Sequence, residues 1–368
     1  MIRRWWIAVL ILASLRLAYI NLLWADEDYH LTAAIQILKG RVPYREFWYD
    51  KPPLAALFYS LIGGYPGWPL RFLDIVYILI CCWMAYRLAK ACWGESEGRA
   101  AALLLAFFTT FYLTSATVPF AVDGLLMLPH LAAIYFAFQR RPFWCGVCCA
   151  LGLLTNVKAL FVAATCALWL LSDLPLLAAG LVLPLAMAAA LGASLDLLRD
   201  FYQQVWQWGL VYAATTSPLA MAARRCADWL GFHAALLAGV ILARKELRYR
   251  FGIWFALSCA PLVMGNHFAP RYFFQLLPVM VIVASRGIVV GLERYGRTGA
   301  AALAVLLLIP LSRFGPRYGE LIWDNMRNKQ TSWPDAAMDL DSQQVANIIN
   351  ARKRPGDTLF VWGYRPDI

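Results

Sequence analysis

The sequence predicts an all-α polytopic membrane protein with about ten membrane-embedded helical segments. Of its 368 residues, 61% are hydrophobic and only 15% are charged, whereas soluble domains carry about 25% charged residues. The apolar residues form long runs, and the 16 Trp and 17 Tyr residues suit the aromatic belts of membrane–water interfaces. A soluble core could not bury so much apolar surface, so a soluble globular domain is excluded.

The basic residues lie mainly in short loops between the apolar runs. The net charge of +11 therefore indicates membrane topology rather than a stripe that binds nucleic acid. The Lys/Arg groups that set the orientation are at residues 3–4, 140–141, 244–250 and 294–297. Because cytoplasmic loops are enriched in Lys and Arg, these groups predict a cytoplasmic N-terminus.

The apolar runs give the positions of the membrane segments. The predicted segments are 5–24, 70–92, 99–118, 122–138, 143–171, 174–195, 229–243, 251–265, 272–291 and 298–312. The first has no small-residue cleavage site after it and is typical of a retained signal anchor. Thr155-Asn-Val-Lys158 interrupts the run 143–171. All the basic groups fall on one face only if this run enters and leaves on the same side, so we predict two short helices there.

Two polar stretches are predicted to be outer loops. The first, 25–69, contains helical patterns at 31–38 and 54–62. Both patterns are too short to span a membrane and suit helices that lie in the interface plane. The second outer loop is 196–228.

Residues 1–312 form the predicted transmembrane domain, and 313–368 form an outer-face polar tail that we expect to be incomplete. The apolar run 359–362 in the tail favours a strand, but it has no visible partner strand. The nine cysteines lie mostly inside apolar runs, where Cys behaves as a small hydrophobic residue. Their spacing to His residues matches no zinc site.

Three consecutive carboxylates, Asp26, Glu27 and Asp28, stand where the first apolar segment ends. Acidic side chains are costly beside a membrane, so their presence predicts a function. Capping of the helix 31–38 by an Asp is the alternative. Capping accounts for one acid and leaves two unexplained.

Further charged side chains occur in the same outer regions. Lys51 precedes two prolines. One interpretation is that Lys51 binds a lipid phosphate while Asp50 holds a cation. The alternative is a solvated ion pair between Lys51 and Asp50. Asp123 lies in an otherwise apolar stretch and either acts in the site or caps the next helix. His267 and Arg271 either join the site or anchor the chain at the interface.

Several of these stretches resemble a known family. Asp26-Glu-Asp-Tyr-His, Gly40-Arg-Val-Pro-Tyr-Arg-Glu-Phe and Asp50-Lys-Pro-Pro-Leu resemble the N-terminal signature of the dolichyl-phosphate-mannose–protein mannosyltransferase family. This family belongs to the GT-C superfamily and includes bacterial relatives such as the lipid A aminoarabinose transferase. Tyr272-Phe-Phe-Gln-Leu-Leu-Pro278 resembles a second stretch of the bacterial members, and Val361-Trp-Gly-Tyr-Arg-Pro-Asp367 a periplasmic segment. The similarity covers nearly all of the chain.

The resemblance implies a GT-C-type multi-span helical bundle with interface helices in the first outer loop. It implies transfer of a sugar from a polyprenyl-phosphate carrier to an acceptor lipid, glycan or protein, on the periplasmic face of the cell inner membrane. The resemblance implies that Asp26 is the catalytic acid, Asp123 a second important acid, Lys51 a carrier-phosphate ligand and Asp50 a metal-ligating carboxylate of some members. From the residues themselves we add Glu27 to the catalytic candidates, Arg271 to the carrier-binding residues and, as an open alternative, His267 to a divalent metal site at Asp50. Arg271 departs from the His of many bacterial members, and beside typical members we expect the C-terminal region to be incomplete.

The chemistry of the residues agrees with that implication. Transfer to a hydroxyl needs a carboxylate base, for which we favour Asp26, and cations such as Lys51 and Arg271 must stabilise the departing phosphate. The rival prediction is a secondary transporter, which would also have about ten helices and a broken segment. Transporters place ionisable residues near mid-membrane, whereas here they cluster at one interface, and the sequence shows no inverted repeat. A non-catalytic lipid-binding scaffold is a third, weaker reading.

Overall fold

The computed structural model describes residues 4–327, 329, 333–354 and 357. The α-helices of its first half are α1 (Arg4–Ser14), α2 (Ala25–Leu38), α3 (Pro53–Ser60), α4 (Trp68–Cys92), α5 (Glu95–Phe108), α6 (Thr114–Thr117), α7 (Val122–Leu125), α8 (Met127–Phe138), α9 (Pro142–Leu153) and α10 (Ala159–Trp169). The second half contains α11 (Leu174–Ser194), α12 (Leu198–Phe201), α13 (Trp208–Ala214), α14 (Leu219–Phe232), α15 (Ala234–Leu242), α16 (Arg250–Val263), α17 (Leu277–Met326) and α18 (Pro334–Arg352). Short 3₁₀-helices include Leu15–Tyr19 and Pro270–Gln275, and Tyr202–Gln207 is π-helical.

The all-α class is confirmed, since the described part of the chain contains no β-strand. The run 359–362, for which the sequence favours a strand, lies outside the described residues. The predicted interface helices of the first outer loop exist as α2 and α3. The multi-pass membrane character is supported by the many apolar helices.

In the described part of the chain, three helical stretches are long and apolar enough to cross a membrane, namely α4, Leu171–Ser194 and α17. The helices α14 and α15 together form a fourth candidate that bends by 73°. Shorter apolar helices account for other predicted segments. The helix α17 is broken at Gly296, whose φ of 52° and ψ of −125° are non-helical. It therefore consists of two helices, as the separate predicted segments 272–291 and 298–312 require.

The doubling back of residues 143–171 is confirmed. The helices α9 and α10 are separate, and a turn between them contains Thr155 and Lys158. Nη1 of Arg140, before α9, lies 3.4 Å from Oδ2 of Asp173, after α10. The two flanks of the helix pair therefore meet at one end of the molecule.

Several predicted boundaries need correction. The helix of the first segment ends at Ser14 and continues only as a 3₁₀-turn to Tyr19, short of residue 24. The helix α14 begins at Leu219, inside the predicted second outer loop, and α17 continues to Met326, past the end of the predicted membrane segment 298–312. Apolar runs mark the buried or lipid-facing part of a helix, and these helices extend beyond it with polar residues.

The predicted outer loops lie together at one end of the bundle, which we call the cleft end. The backbone N–H of Leu54, in α3, donates to the carbonyl of Leu154, in the α9–α10 turn, at 2.9 Å. Arg45 of the first loop donates to the carbonyl of Leu195, after α11, at 3.1 Å. The first outer loop thus packs on both the α9–α10 turn and the second outer loop.

The opposite end of the bundle carries the basic loops that predict the orientation. The indole N–H of Trp169 donates to the carbonyl of Arg250 at 3.1 Å, beside the Arg140–Asp173 pair. Two of the four basic groups, at 140–141 and 244–250, therefore lie on the same face of the fold. Which side of the membrane this face occupies stays a prediction.

Glycines allow the closest helix contacts. A Cβ at Gly146 would lie 2.1 Å from the carbonyl oxygen of Leu177, and one at Gly180 would lie 2.0 Å from that of Phe143. The backbones of α9 and α11 therefore touch, as small residues permit in membrane helix pairs. Residues 279–284 of α17 are all buried, so the first part of this helix is surrounded by protein.

Candidate active site

Five charged side chains from five parts of the chain meet at the cleft end, and we call them the charged cleft. They are Asp26, Lys51, Asp123, Lys158 and Arg271. The positive charges of Lys51 and Arg271 interact electrostatically with the Lys158 ammonium, and the negative charge of Asp123 interacts with Arg271. The cleft forms because five elements converge there. They are the start of α2, the start of α3, α7, the start of α10 and the 3₁₀-turn before α17.

Asp26 and Arg271 form an ion pair in this cleft. Oδ2 of Asp26, in the first turn of α2, contacts Nη1 of Arg271, and each side chain is 34% exposed. Burial alone lowers the pKa of Arg271, but the Asp26 carboxylate and its hydrogen bond raise this pKa above its ordinary value. Asp26 is therefore a carboxylate that a ligand can reach while a fixed cation holds it in place.

Asp123 is more enclosed than Asp26. Its side chain is 5% exposed, and Oδ1 accepts a hydrogen bond from Nζ of Lys158 at 2.8 Å. The same oxygen accepts from Nδ2 of Asn156 at 3.0 Å. Nζ of Lys158 also lies 3.4 Å from the ring centroid of Tyr272, a cation–π contact. Asp123 thus holds a lysine at the wall of the cleft rather than capping a helix.

Asp50 and Lys51 form the adjacent wall. Nζ of Lys51 lies 2.7 Å from Oδ2 of Asp50, and the Lys51 side chain is 36% exposed. Tyr29 donates from its hydroxyl to Oδ1 of Asp50 at 2.8 Å and accepts from the Asp50 backbone N–H at 2.8 Å. Burial, and then the Asp50 charge, raise the pKa of the Tyr29 hydroxyl well above its ordinary value. The Asp50–Lys51 pair is therefore fixed by α2 and is not merely solvated.

A neutral histidine forms part of the floor beneath this wall. Nδ1 of His30 hydrogen-bonds the Tyr49 hydroxyl at 2.8 Å, and His30 is buried. Burial, assisted by the nearby Lys51 charge, lowers the pKa of His30 from 6.5 to about 3. The imidazole is consequently uncharged at neutral pH, and it adds no positive charge beside Lys51 and Arg271.

The residues considered for a metal ion do not assemble a site for one. Asp50 uses one carboxylate oxygen for Lys51 and the other for Tyr29. His267 lies instead against Ser217 at 3.0 Å and stacks on Tyr212 with ring centroids 4.9 Å apart. Among the described residues, neither belongs to a group of three metal-ligating side chains.

The expectation that Glu27 is catalytic does not fit its position. Its side chain is 0% exposed, and Oε1 and Oε2 accept from the two Arg71 Nη atoms at 2.6 and 2.8 Å. Oε1 also accepts from the backbone N–H of Phe120 at 3.0 Å. Neighbouring residues of a helix point about 100° apart, so Asp26 faces the cleft while Glu27 faces the core. Glu27 holds α2 on α4 and has no access to a substrate.

The sequence did not predict that Lys158 and Asn156 are the hydrogen-bond partners of Asp123. The interruption of the apolar run by Thr155-Asn-Val-Lys158 was the available signal, since a Lys within apolar sequence requires a partner. Nothing local to that run indicated that the partner is Asp123. Arg71 was likewise hidden, at the start of a predicted segment and far in sequence from Glu27.

The site and the fold can now be compared with known proteins. Residues 50–198 match the family model of dolichyl-phosphate-mannose–protein mannosyltransferases. The structure of ArnT from Cupriavidus metallidurans bound to undecaprenyl phosphate has a TM-score of 0.61 at 15% identity, over 82% of this chain and 63% of that one. Residues 50–198 are therefore similar to this family, and the chain has a GT-C-type fold.

Other solved structures share the GT-C fold of this chain. The oligosaccharyltransferase of Archaeoglobus fulgidus in its apo form has a TM-score of 0.54 at 12% identity, over 96% of this chain and 59% of that one. The same archaeon's AglB, in complex with an inhibitory peptide and a dolichol-phosphate, has a TM-score of 0.51 at 12% identity, over 93% of this chain and 59% of that one. Such identities establish the fold alone, and the chain spans only about three fifths of each structure's length. Among curated protein sequences, none matches the chain significantly.

Proposed function

We propose that this protein is a membrane glycosyltransferase that transfers a sugar from a polyprenyl-phosphate carrier to an acceptor lipid, glycan or protein. The observation that carries the proposal is the Asp26 carboxylate, about one third exposed and paired with Arg271 in a cleft that also contains Lys51 and Lys158. One reachable carboxylate among three cations matches a reaction that removes a proton from a hydroxyl and releases a phosphate.

The reaction proceeds at the anomeric carbon of the carrier-bound sugar. The acceptor hydroxyl oxygen attacks this carbon, and the carbon–oxygen bond to the phosphate breaks. The electron pair of that bond goes to the polyprenyl phosphate, which leaves as an anion. Asp26 takes the hydroxyl proton as general base, because it is the more exposed of the two cleft acids that face cations.

The carrier phosphate binds to Lys51 and Arg271. Lys51 is exposed enough to exchange its contact with Asp50 for a phosphate oxygen. Arg271 can donate two hydrogen bonds to a phosphate from one edge of its planar guanidinium group, since bidentate contacts to phosphate are typical of Arg. When Arg271 turns to the phosphate, the Asp26 carboxylate is released to accept a hydrogen bond from the acceptor hydroxyl.

Asp123 and Lys158 support the site. Oδ1 of Asp123 is already occupied by Lys158 and Asn156, so this carboxylate is a poor proton acceptor. It instead fixes the Lys158 ammonium between Asp123 and the Tyr272 ring, where the positive charge faces the same cleft. We assign Asp123 as a positioning residue rather than the base.

The proposal extends to cellular location. The cleft end faces the periplasm or cell exterior, the N-terminus lies in the cytoplasm, and the protein resides in the cell inner membrane. The basic loops at the opposite end support this orientation. We further propose that residues 1–312 form the transferase domain and that 313–368 belong to the outer face.

A transfer assay tests the proposal. Membranes containing the full chain are supplied with a panel of labelled polyprenyl-phosphate sugars, and label in lipid, glycan and protein fractions is counted. Asp26→Asn should lower transfer by about 100- to 10,000-fold. Asp228→Asn is the matched control, since Asp228 forms only an exposed pair with Arg224 at 3.9 Å. Wild-type turnover by folded Asp26→Asn protein would reject Asp26 as the base, and label that crosses the membrane with the carrier bond intact would favour a transporter.

A further inference from the structure

Three cysteines from two helices meet in the protein interior, away from the charged cleft. The Sγ atoms of Cys145, Cys149 and Cys166 all lie within 4.8 Å of one another. Cys145 and Cys149 are one turn apart on α9, and Cys166 faces them from α10. All three are buried, with exposures of 0%, 1% and 0%. We call these residues the thiol cluster.

The thiol cluster lies toward the end of the bundle opposite the cleft. Cys145 is in the first turn of α9, which begins at Pro142, and Cys166 is in the last turn of α10, which ends at Trp169. The Arg140–Asp173 pair closes this end of the two helices. The charged cleft, by contrast, is at the far end of the same helices, where Lys158 precedes α10.

The position of the cluster is fixed by helix packing. Gly146, next to Cys145, brings the α9 backbone into contact with α11, where Gly180 permits an equally close approach. A helix held at backbone contact cannot rotate or shift without a clash. The packing therefore holds the α9 backbone that carries Cys145 and Cys149 in place before any ligand arrives.

The donor set favours a soft ion of low coordination number. Thiolates select soft metals such as Cu(I), zinc and iron–sulfur clusters. Structural zinc sites almost always have four ligands, and the described residues supply no fourth His, Cys, Asp or Glu to this cluster. The complete burial of the sulfurs also leaves little access for water as a fourth ligand. Three sulfur donors are enough for a Cu(I) ion.

We propose that Cys145, Cys149 and Cys166 bind a single Cu(I) ion. The ion binds in its reduced state, so neither the metal nor sulfur changes oxidation state. Each thiol that becomes a thiolate ligand releases its proton to solvent. The half-buried Cys148, on the same helix but outside the cluster, offers a neighbouring thiol toward the surface. In the alternative, the three side chains act only as small hydrophobic residues.

Copper binding by the intact chain tests the proposal. The full-length protein is purified in detergent, reduced and kept anaerobic, and Cu(I) is titrated against the chromogenic competitor bicinchoninate. Wild-type protein should retain a single Cu(I) ion per chain, with a sulfur-only first shell by copper K-edge absorption. Cys149→Ala and Cys166→Ala should lose this ion, whereas the control Cys148→Ala should retain it.

A second measurement uses wild-type protein alone, in case the Ala variants do not fold. Alkylation in denaturant after rapid mixing, followed by peptide mass analysis, should show the thiol cluster protected by Cu(I) and Cys148 labelled. Any one of four results would overturn the proposal. They are labelling that does not depend on copper, a disulfide within the cluster, equal copper loss in Cys148→Ala, and retention of Zn(II) in preference to Cu(I). None of these outcomes bears on sugar transfer, because the thiol cluster and the charged cleft are at opposite ends of α10.

Discussion

The buried Glu27–Arg71 pair gives the sharpest test of the site assignment. Glu27 and Asp26 are neighbours in the acidic triplet, and the sequence makes both of them catalytic candidates. In the structure, Glu27 accepts two hydrogen bonds from Arg71, at 2.6 and 2.8 Å, and one from the Phe120 N–H at 3.0 Å. We predict that Glu27→Gln lowers stability, whereas Asp26→Asn lowers turnover.

The magnitudes follow from burial. Both side chains of the Glu27–Arg71 pair are 0% exposed, and removing one partner of a buried pair costs about 3–5 kcal/mol because an uncompensated charge remains. Gln keeps the size and one acceptor, so Glu27→Gln should fall near the lower limit. Asp26 and Arg271 are each about one third exposed, and a pair of that kind contributes about 0–1 kcal/mol.

The assay compares thermal unfolding of the purified variants in one detergent with transfer per folded molecule. Glu27→Gln should unfold at a clearly lower temperature, yet the folded fraction should keep its turnover. Arg71 also donates to the carbonyls of Tyr19 and Leu22, at 3.1 and 2.8 Å, so Glu27→Leu with Arg71→Met should recover only part of the stability lost in Glu27→Leu. A Glu27→Gln protein as stable as wild type but inactive would refute this reasoning and return Glu27 to the catalytic group.

Three further predictions concern the walls and floor of the cleft. Lys51→Ala should weaken carrier binding strongly and Lys51→Arg less so, measured with labelled polyprenyl phosphate; unchanged binding by the Ala variant would leave Lys51 as a simple partner of Asp50. Lys158→Met should leave the enclosed Asp123 carboxylate without its cation, and should therefore lower both stability and turnover. Lys158→Arg should restore part of the stability and part of the turnover. Full activity of the Met variant would contradict the positioning role. His30 should make the protein less stable as the pH falls from 6.5 toward 3, because the unfolded chain binds a proton there that the folded chain, with its pKa of about 3, does not. His30→Gln should flatten this part of the stability profile, and an unchanged profile would show that other groups set it.

Some features of the charged cleft could be predicted from single residues. Asp26, Lys51, Asp123 and Arg271 each stand out as charges beside apolar sequence, and all four lie in the cleft. Their pairing could not be predicted, because partners such as Asp26 and Arg271 are far apart in the chain. The sequence also could not reveal that His267 lies against Ser217 and Tyr212 instead of Asp50.

The sequence by itself determined the all-α membrane character, the two helices within 143–171 and the gathering of the outer loops at one end. These features depend on apolar runs and basic loops, which are local and readable along the chain. Only the tertiary structure decided which acid of the triplet is available for chemistry. Asp26 and Glu27 have the same surroundings in sequence, but one turns to Arg271 in the cleft and the other to Arg71 in the core. The physical reason is that helix rotation and the packing of distant helices, rather than residue type, set the burial of each carboxylate and thus its role.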